Sequence, residues 1–393
     1  MDVRPLGGAL ALVLLIAGGS WVAAVTKHHN TGSSAQTATP TPWPIITAEP
    51  ETPAPTPVPT VPPSPPPQGV ELLWRTVPDQ GDRLEAIDWS GQVRGGLLLP
   101  ADRNKLGSVV PSVDGQRLLV SVSGTDTVMS AQGRTLFSLT SESNRDFRTW
   151  SDDGNHLCDV RSTGDTSAQV FLVPLGSQPR LLTSLRWPQG DGRLQVLVCS
   201  VKQDVAVVSI DLGDDMAGHV WDIKVVRLST GATIRDVHPP EFADHGGNLT
   251  PLPGTLSQVS ASPDGRLLAL TAWTEPDSHS APTDIVDTLS GRKLGHVNGW
   301  VRSFSGDGAE VLIETQVLNW RTGKTVHAPA GCCGSIGPAR PGSAGIVVGI
   351  ASGPVPTPGT ASSPAQSPPP DDMVLLRPDG STLHLTCCGQ TIL

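Results

Sequence analysis

From Val70 to the C-terminus, short runs of apolar and β-branched residues recur between turns built on glycine. One turn reads Ser112-Val113-Asp114-Gly115, Ser151-Asp152-Asp153-Gly154, Gln189-Gly190-Asp191-Gly192, Ser262-Pro263-Asp264-Gly265 and Ser305-Gly306-Asp307-Gly308, with Arg340-Pro341-Gly342-Ser343 as a degenerate copy. The runs that follow include RLLVSVS, HLCDV, LQVLVCSV, LLALTAW and EVLIET. Period-two alternation puts side chains on opposite faces of a strand, and Asp-Gly supplies the positive φ of a tight hairpin. A second turn falls at Ser90-Gly91, Gln132-Gly133, Leu175-Gly176, Thr230-Gly231, Ser290-Gly291, Thr322-Gly323 and Asp379-Gly380.

Six turns of the first kind and seven of the second describe seven four-stranded units, one of them incomplete. Spread over residues 70–393, that is about 46 residues per unit, near the usual length of a propeller blade. Six units of about 54 residues are the alternative. The fold class expected is all-β, a β-propeller. Its first unit (VELLWRTV, RLEAIDW, VRGGLLL) lacks an opening strand, which the C-terminal Thr391-Ile392-Leu393 region is placed to supply.

The segment before the repeats is different in kind. Residues 1–5 read as a cytoplasmic tip, and Leu6 to Val25 is a charge-free apolar stretch of twenty residues between Arg4 and Lys27. That length matches one helical membrane crossing; a cleaved signal peptide and a buried core helix are the competing readings. Residues 26–69 read as a disordered Pro/Thr-rich stalk, with thirteen prolines between Asn30 and Gly69. Thr-Pro alternation beside a membrane segment points to a spacer on the outer side, against the alternative of a proline motif for a cytoplasmic partner. The expected location is the cell membrane, single-pass, with the propeller extracytoplasmic, or secreted after cleavage.

Composition narrows the function classes. With 38 Pro, 42 Gly and only 16% charged residues, the chain is not a long helical or coiled-coil protein. A net charge of −10 argues against nucleic acid as the main partner.

Ser262-Pro263-Asp264-Gly265-Arg266-Leu267-Leu268-Ala269-Leu270 resembles the repeat of TolB-like and WD-repeat β-propellers of bacteria. The resemblance extends over nearly all of Val70 to Leu393, although only this unit is near the consensus. It implies the propeller fold strongly and a function only weakly, since such propellers serve as scaffolds, receptors and occasional enzyme domains.

If both kinds of turn lie on one rim, the insertions at 162–167, 203–221, 275–282 and 353–371, and those between blades at 99–107 and 235–257, fall on the other. His245, Trp273, Asp277, His279, Trp300 and Arg302 are the ligand-face candidates there. The expected partner is a protein or cell-envelope component. A propeller hydrolase, lyase or lactonase working at the tunnel mouth, and a plain envelope spacer, are the alternatives. No nucleophile elbow, phosphate loop or zinc-protease pattern is present, and no catalytic residue, cofactor or metal is assigned. His245-Gly246-Gly247 resembles an oxyanion loop without a nucleophile to serve. Asp214, Asp215 and Asp222 read as loop-solvating carboxylates or helpers for a cation, and Asn248-Leu249-Thr250 matches a glycosylation acceptor.

Two matching cysteine pairs, Cys332-Cys333 and Cys387-Cys388, each follow a histidine, His327 and His384. Outside the cytoplasm they are disulfide candidates, either linked pair to pair or each closed on itself; free thiols or a Cys/His metal site are the other options. Cys158 and Cys199 read as buried small hydrophobes.

Overall fold

The computed structural model describes residues 63–77, 80–99, 106–122, 125–140, 147–187, 192–212, 221–237, 242–245, 248–251, 255–272, 281–329, 332–340, 342–350, 372–386 and 392–393. The segment expected to cross the membrane and most of the stalk lie outside them. One compact unit spans Thr60–Leu393. Its described residues form twenty-nine strands and no helix, and hence no helix long and apolar enough to cross a membrane.

The strands pair antiparallel in chain order. β1 (Leu73–Val77), β2 (Gln80–Ile87) and β3 (Val93–Leu98) form a three-stranded sheet. β4 (Leu106–Pro111), β5 (Arg117–Val122), β6 (Thr125–Ser130) and β7 (Thr135–Thr140) form the next. β8 (Phe147–Trp150), β9 (His156–Gly164), β10 (Ser167–Pro174) and β11 (Arg180–Arg186) form the third. β12 (Arg193–Ser200), β13 (Val205–Asp211), β14 (Trp221–Arg227) and β15 (Thr233–Val237) follow. A two-stranded hairpin of β16 (Phe242–His245) and β17 (Asn248–Pro251) then precedes β18 (Leu256–Ala261), β19 (Leu267–Ala272), β20 (Pro282–Asp287) and β21 (Lys293–Asn298). The last two sheets are β22 (Val301–Phe304), β23 (Glu310–Ile313), β24 (Gln316–Asn319), β25 (Thr325–His327) and β26 (Cys332–Ile336), β27 (Ile346–Ile350), β28 (Asp372–Leu376), β29 (Thr382–His384).

The architecture is an all-β propeller. Counted as hydrogen-bonded sheets, the described residues hold five of four strands or more, not the seven separate blades expected. Two physical causes account for the difference. Trp221 of β14 pairs with Leu256 of β18, which fuses two runs of strands into one eight-stranded sheet. The first sheet has three strands because its fourth comes from the far end of the chain: Ile392 bridges Arg75 antiparallel, and the Leu393 amide donates to the Trp74 carbonyl at 2.9 Å. The expected C-terminal closure is therefore present.

The Ser-x-Asp-Gly turns show why the repeat needs those residues. The Ser112 hydroxyl donates to Asp114 Oδ1 at 2.6 Å and accepts the Arg117 amide at 3.0 Å, and Asp114 Oδ1 accepts the Gln116 amide at 3.0 Å. Gly115 has φ 68°, and a Cβ there would lie 2.1 Å from the Leu72 carbonyl oxygen of the neighbouring sheet. Turn chemistry and sheet-to-sheet packing thus converge on one glycine. The turns at Ser262 and Ser305 repeat the pattern.

The fourth sheet departs from the expectation. Gln189–Gly192 is not its hairpin turn, because Arg193–Ser200 is already its first strand. The hairpin turns at 201–204, where Asp204 adopts φ 55° and takes the place of glycine. Asp is among the few non-glycine residues that adopt this conformation at modest cost. Its carboxylate is held by the Ser229 amide and hydroxyl, both at 2.6 Å.

Among the described residues the core is divided among seven apolar clusters, each shared by consecutive sets of strands. Leu73, Ile87, Val347, Met373, Leu385 and Ile392 form the one that joins the last sheet to the first. β13 is buried along its whole length, so it reads as a nearly continuous apolar run rather than alternation. The end of the predicted stalk lies along β3: the Gly96 amide donates to the Ser64 carbonyl at 2.9 Å, and Gln132 Nε2 to the Pro66 carbonyl at 3.1 Å.

Candidate functional site

The two kinds of glycine turn do share a rim. Backbone amides of Ala131, Leu175 and Thr288, beside second turns, donate to carbonyls of Gln116, Asn155 and Arg266, beside first turns. The connections between second and third strands, and between sheets, consequently emerge on the opposite rim.

Of the ligand-face candidates, Trp273, Asp277 and His279 lie outside the described residues, and so does the side chain of His245, which ends β16. Trp300 and Arg302 are described and flank the start of β22. The backbone here is fixed from several sides. The Thr283 hydroxyl donates to the Gly299 carbonyl at 2.7 Å, so the 2.8 Å contact between the Thr271 and Thr283 hydroxyls has Thr271 as donor. The Val301 carbonyl accepts Ser260 Oγ at 2.7 Å and Gln258 Nε2 at 3.2 Å, both from β18. Arg302 Nη1 donates to the Cys333 carbonyl of β26. Three successive sets of strands thereby hold a segment whose Trp300 side chain remains 53% exposed. The sequence reading missed Gln258, Ser260, Thr271 and Thr283. Their signal was polar residues inside strands with no face to assign them to.

The geometry also joins two lists that the sequence kept apart, since Arg302 and the cysteine pair meet at this rim. Cys332 and Cys333 are disulfide-bonded to each other, which takes both sulfurs out of metal ligation. Cys387 and Cys388 lie outside the described residues. Among the described residues no group of three or more His, Cys, Asp or Glu could hold a metal ion.

Cys158 and Cys199 correct the sequence reading. They are not free hydrophobes but a disulfide between β9 and β12, with Cα atoms 5.8 Å apart, within the usual range for such bridges. Once Arg193–Ser200 is the inner strand of its sheet, Cys199 faces the neighbouring β9. The bridge spans a sequence separation of 41, a loop worth about 4 kcal/mol on the chain-entropy model.

Among the described residues, buried ion pairs occur in two places. Arg148 of β8 is paired with Asp126 of β6 and with Asp159 Oδ1 at 3.0 Å, and Arg161 Nε meets the other Asp159 oxygen at 2.8 Å. On β14, Asp222 is buried and pairs with Lys224 Nζ at 3.0 Å, while Asp236 takes the same ammonium at 2.6 Å. It is not a loop-solvating carboxylate; Asp214 and Asp215 lie outside the described residues. Burial, only partly offset by Lys224, pushes the Asp222 carboxyl up to about 6 from 3.8. Between those values the folded state holds more protons than the unfolded one, so this group's contribution to stability falls as pH rises from about 4 to about 6. Asp222→Asn is expected to flatten that interval, changing the wild-type-to-variant difference in unfolding free energy by on the order of 1–3 kcal/mol. Urea melts at pH 4 and pH 6.5 check this; parallel pH profiles contradict it.

No protein-family model and no curated protein matches the sequence. Solved structures do. An oligogalacturonate lyase in complex with manganese is 12% identical, with 77% of this chain and 81% of that one covered and a TM-score of 0.45. A functionally unknown protein from Desulfotomaculum acetoxidans DSM 771 is 13% identical, with 81% and 98% covered and a TM-score of 0.44. TolB from Acinetobacter baumannii is 13% identical, with 63% and 60% covered and a TM-score of 0.34. At these identities and TM-scores the likeness carries nothing about function.

Proposed function

We propose that this chain is an extracytoplasmic, membrane-tethered β-propeller of TolB-like type that binds a protein or cell-envelope component on the rim carrying Trp300 and Arg302. The carrying observation is Trp300: a large aromatic, more than half exposed, on backbone held by hydrogen bonds from neighbouring strands. Rigid exposed aromatics flanked by arginine are the residue types that dominate binding energy at interfaces. Two disulfides among the described residues suit an oxidising compartment, which supports export past the membrane. The ring is read as seven units. Its seven apolar clusters each lie between consecutive units, with the eight-stranded sheet counted as two units and the first sheet completed by Ile392.

The test compares the two rims in full-length protein cross-linked to cell-envelope extract. Trp300→Ala and Arg302→Glu are expected to reduce capture about tenfold or more, while Arg292→Glu and Lys324→Glu beside the glycine turns leave it unchanged. Equal losses on both rims, or none, overturn the assignment and favour a plain spacer.

A further inference from the structure

We infer that Cys332–Cys333 is a thiol–disulfide exchange site, opened by an external dithiol under conditions that leave Cys158–Cys199 closed. The two bridges differ in surroundings. Cys158 and Cys199 are 0% and 5% exposed inside a cluster with Val160, Val170 and Val208. A thiolate must reach the sulfur to attack it, so this bridge is shielded while the propeller is folded.

Cys332–Cys333 has three features of the opposite kind. It joins adjacent residues, so its closure restrains almost no chain in the unfolded state and gains little from loop entropy. Cys333 sits at φ 121°, a conformation L residues rarely adopt, and opening the ring frees it to relax. Little sheet is disturbed when it opens, because the β26–β27 register is interrupted between Cys332 and Ile336. Cys332 is half-buried and Cys333 buried, which makes Cys332 the sulfur open to attack and Cys333 the leaving group. The Arg302 guanidinium, bonded to the Cys333 carbonyl, brings positive charge to the residue whose thiolate departs.

The exchange balances as follows. A thiolate of the dithiol attacks Cys332 Sγ, a mixed disulfide forms, the Cys332–Cys333 bond breaks, and Cys333 departs as a thiolate that takes a proton from solvent. The second thiol of the reductant, deprotonated, attacks its own sulfur in the mixed disulfide and releases Cys332, which is protonated in turn. Two electrons and two protons pass to the cysteine pair, and the reductant leaves as a cyclic disulfide.

The test uses native full-length protein. Free thiols are blocked with iodoacetamide, graded dithiothreitol is applied, and newly exposed thiols are labelled with N-ethylmaleimide and mapped on peptides from cleavage before aspartate. Cleavage before Asp307 and Asp371 brackets Cys332 and Cys333, and cleavage before Asp379 releases Cys387 and Cys388, so the two pairs are read separately. Cys332 and Cys333 are expected to take the second label at a dithiothreitol concentration at least tenfold below that needed for Cys158 and Cys199, with the far-ultraviolet circular dichroism unchanged. Arg302→Gln is expected to slow the opening several-fold. Iodoacetamide on Cys332 or Cys333 before reduction, or opening of both bridges at the same concentration, overturns the inference. The readout is thiol chemistry and does not depend on which ligand the rim binds.

Discussion

Asp159→Ala is expected to lower the unfolding free energy by about 3–5 kcal/mol, the usual cost of stranding a buried charge. The side chains of Asp159 and Arg148 are 0% and 3% exposed, so neither has water to fall back on. Asp159 also receives Arg161, whose guanidinium lies 4.5 Å from the centre of the Phe171 ring. Removing the carboxylate leaves two guanidinium groups close together, with Asp126 still paired to Arg148. Burial already pulls the Arg148 guanidinium below its ordinary value, and Asp159 opposes that pull. The double variant Arg148→Leu/Asp159→Leu is expected to cost less than the sum of its parts, because it removes both the charge and its partner. Urea unfolding of Arg148→Leu, Asp159→Leu and the double variant measures this. A single-variant loss below about 1 kcal/mol contradicts the claim that the network is desolvated.

Trp74→Ala is expected to cost a similar amount, about 3–5 kcal/mol. Trp74 is fully buried, and its Nε1 donates to the Gly115 carbonyl at 2.7 Å, tying the first sheet to the Ser-x-Asp-Gly turn of the second. Its own carbonyl receives the Leu393 amide that helps close the ring. Trp74→Phe keeps most of the apolar volume but orphans the Gly115 carbonyl, so a loss of about 1–3 kcal/mol is expected from the hydrogen bond alone. Trp300→Ala is expected to stay within about 0.5 kcal/mol of the parent, since its side chain fills no core. Thermal and urea melts of the three variants give the comparison. If Trp300→Ala destabilises as much as Trp74→Ala, the rim residue is structural and the binding assignment loses its main support.

The fold was largely legible because its information is local. Ser112, Asp114 and Gly115 close their turn with bonds inside a six-residue window, so the same letters recur wherever the turn does. Where the chain reached the same conformation by another residue, the reading slipped. Asp204 replaces glycine in the fourth hairpin, and the Asp191-Gly192 pair, which imitates the turn, comes in the sequence before β12 rather than after it. That one-strand slip also hid the Cys158–Cys199 bridge, because it put Cys199 on the wrong strand to face Cys158. The candidate site was legible only in part. Trp300 and Arg302 stood out as unusual residues between blades, but the contacts that fix their backbone come from Thr271, Thr283, Ser260 and Gln258, across up to 43 positions.

By itself, then, the sequence determined the element type, the repeat, the rim on which the turns gather and the closure through Ile392. The first three follow from turn chemistry and strand periodicity within one repeat, and the closure from the strand that the first unit lacks. The tertiary structure alone decided that two runs of strands share one sheet through Trp221 and Leu256, that Asp159 and Asp222 are buried with cationic partners, and that Arg302 reaches the Cys333 carbonyl. These are contacts between strands distant along the chain or between neighbouring sheets, set by register and by how the sheets face each other, and neither quantity is written in a local window.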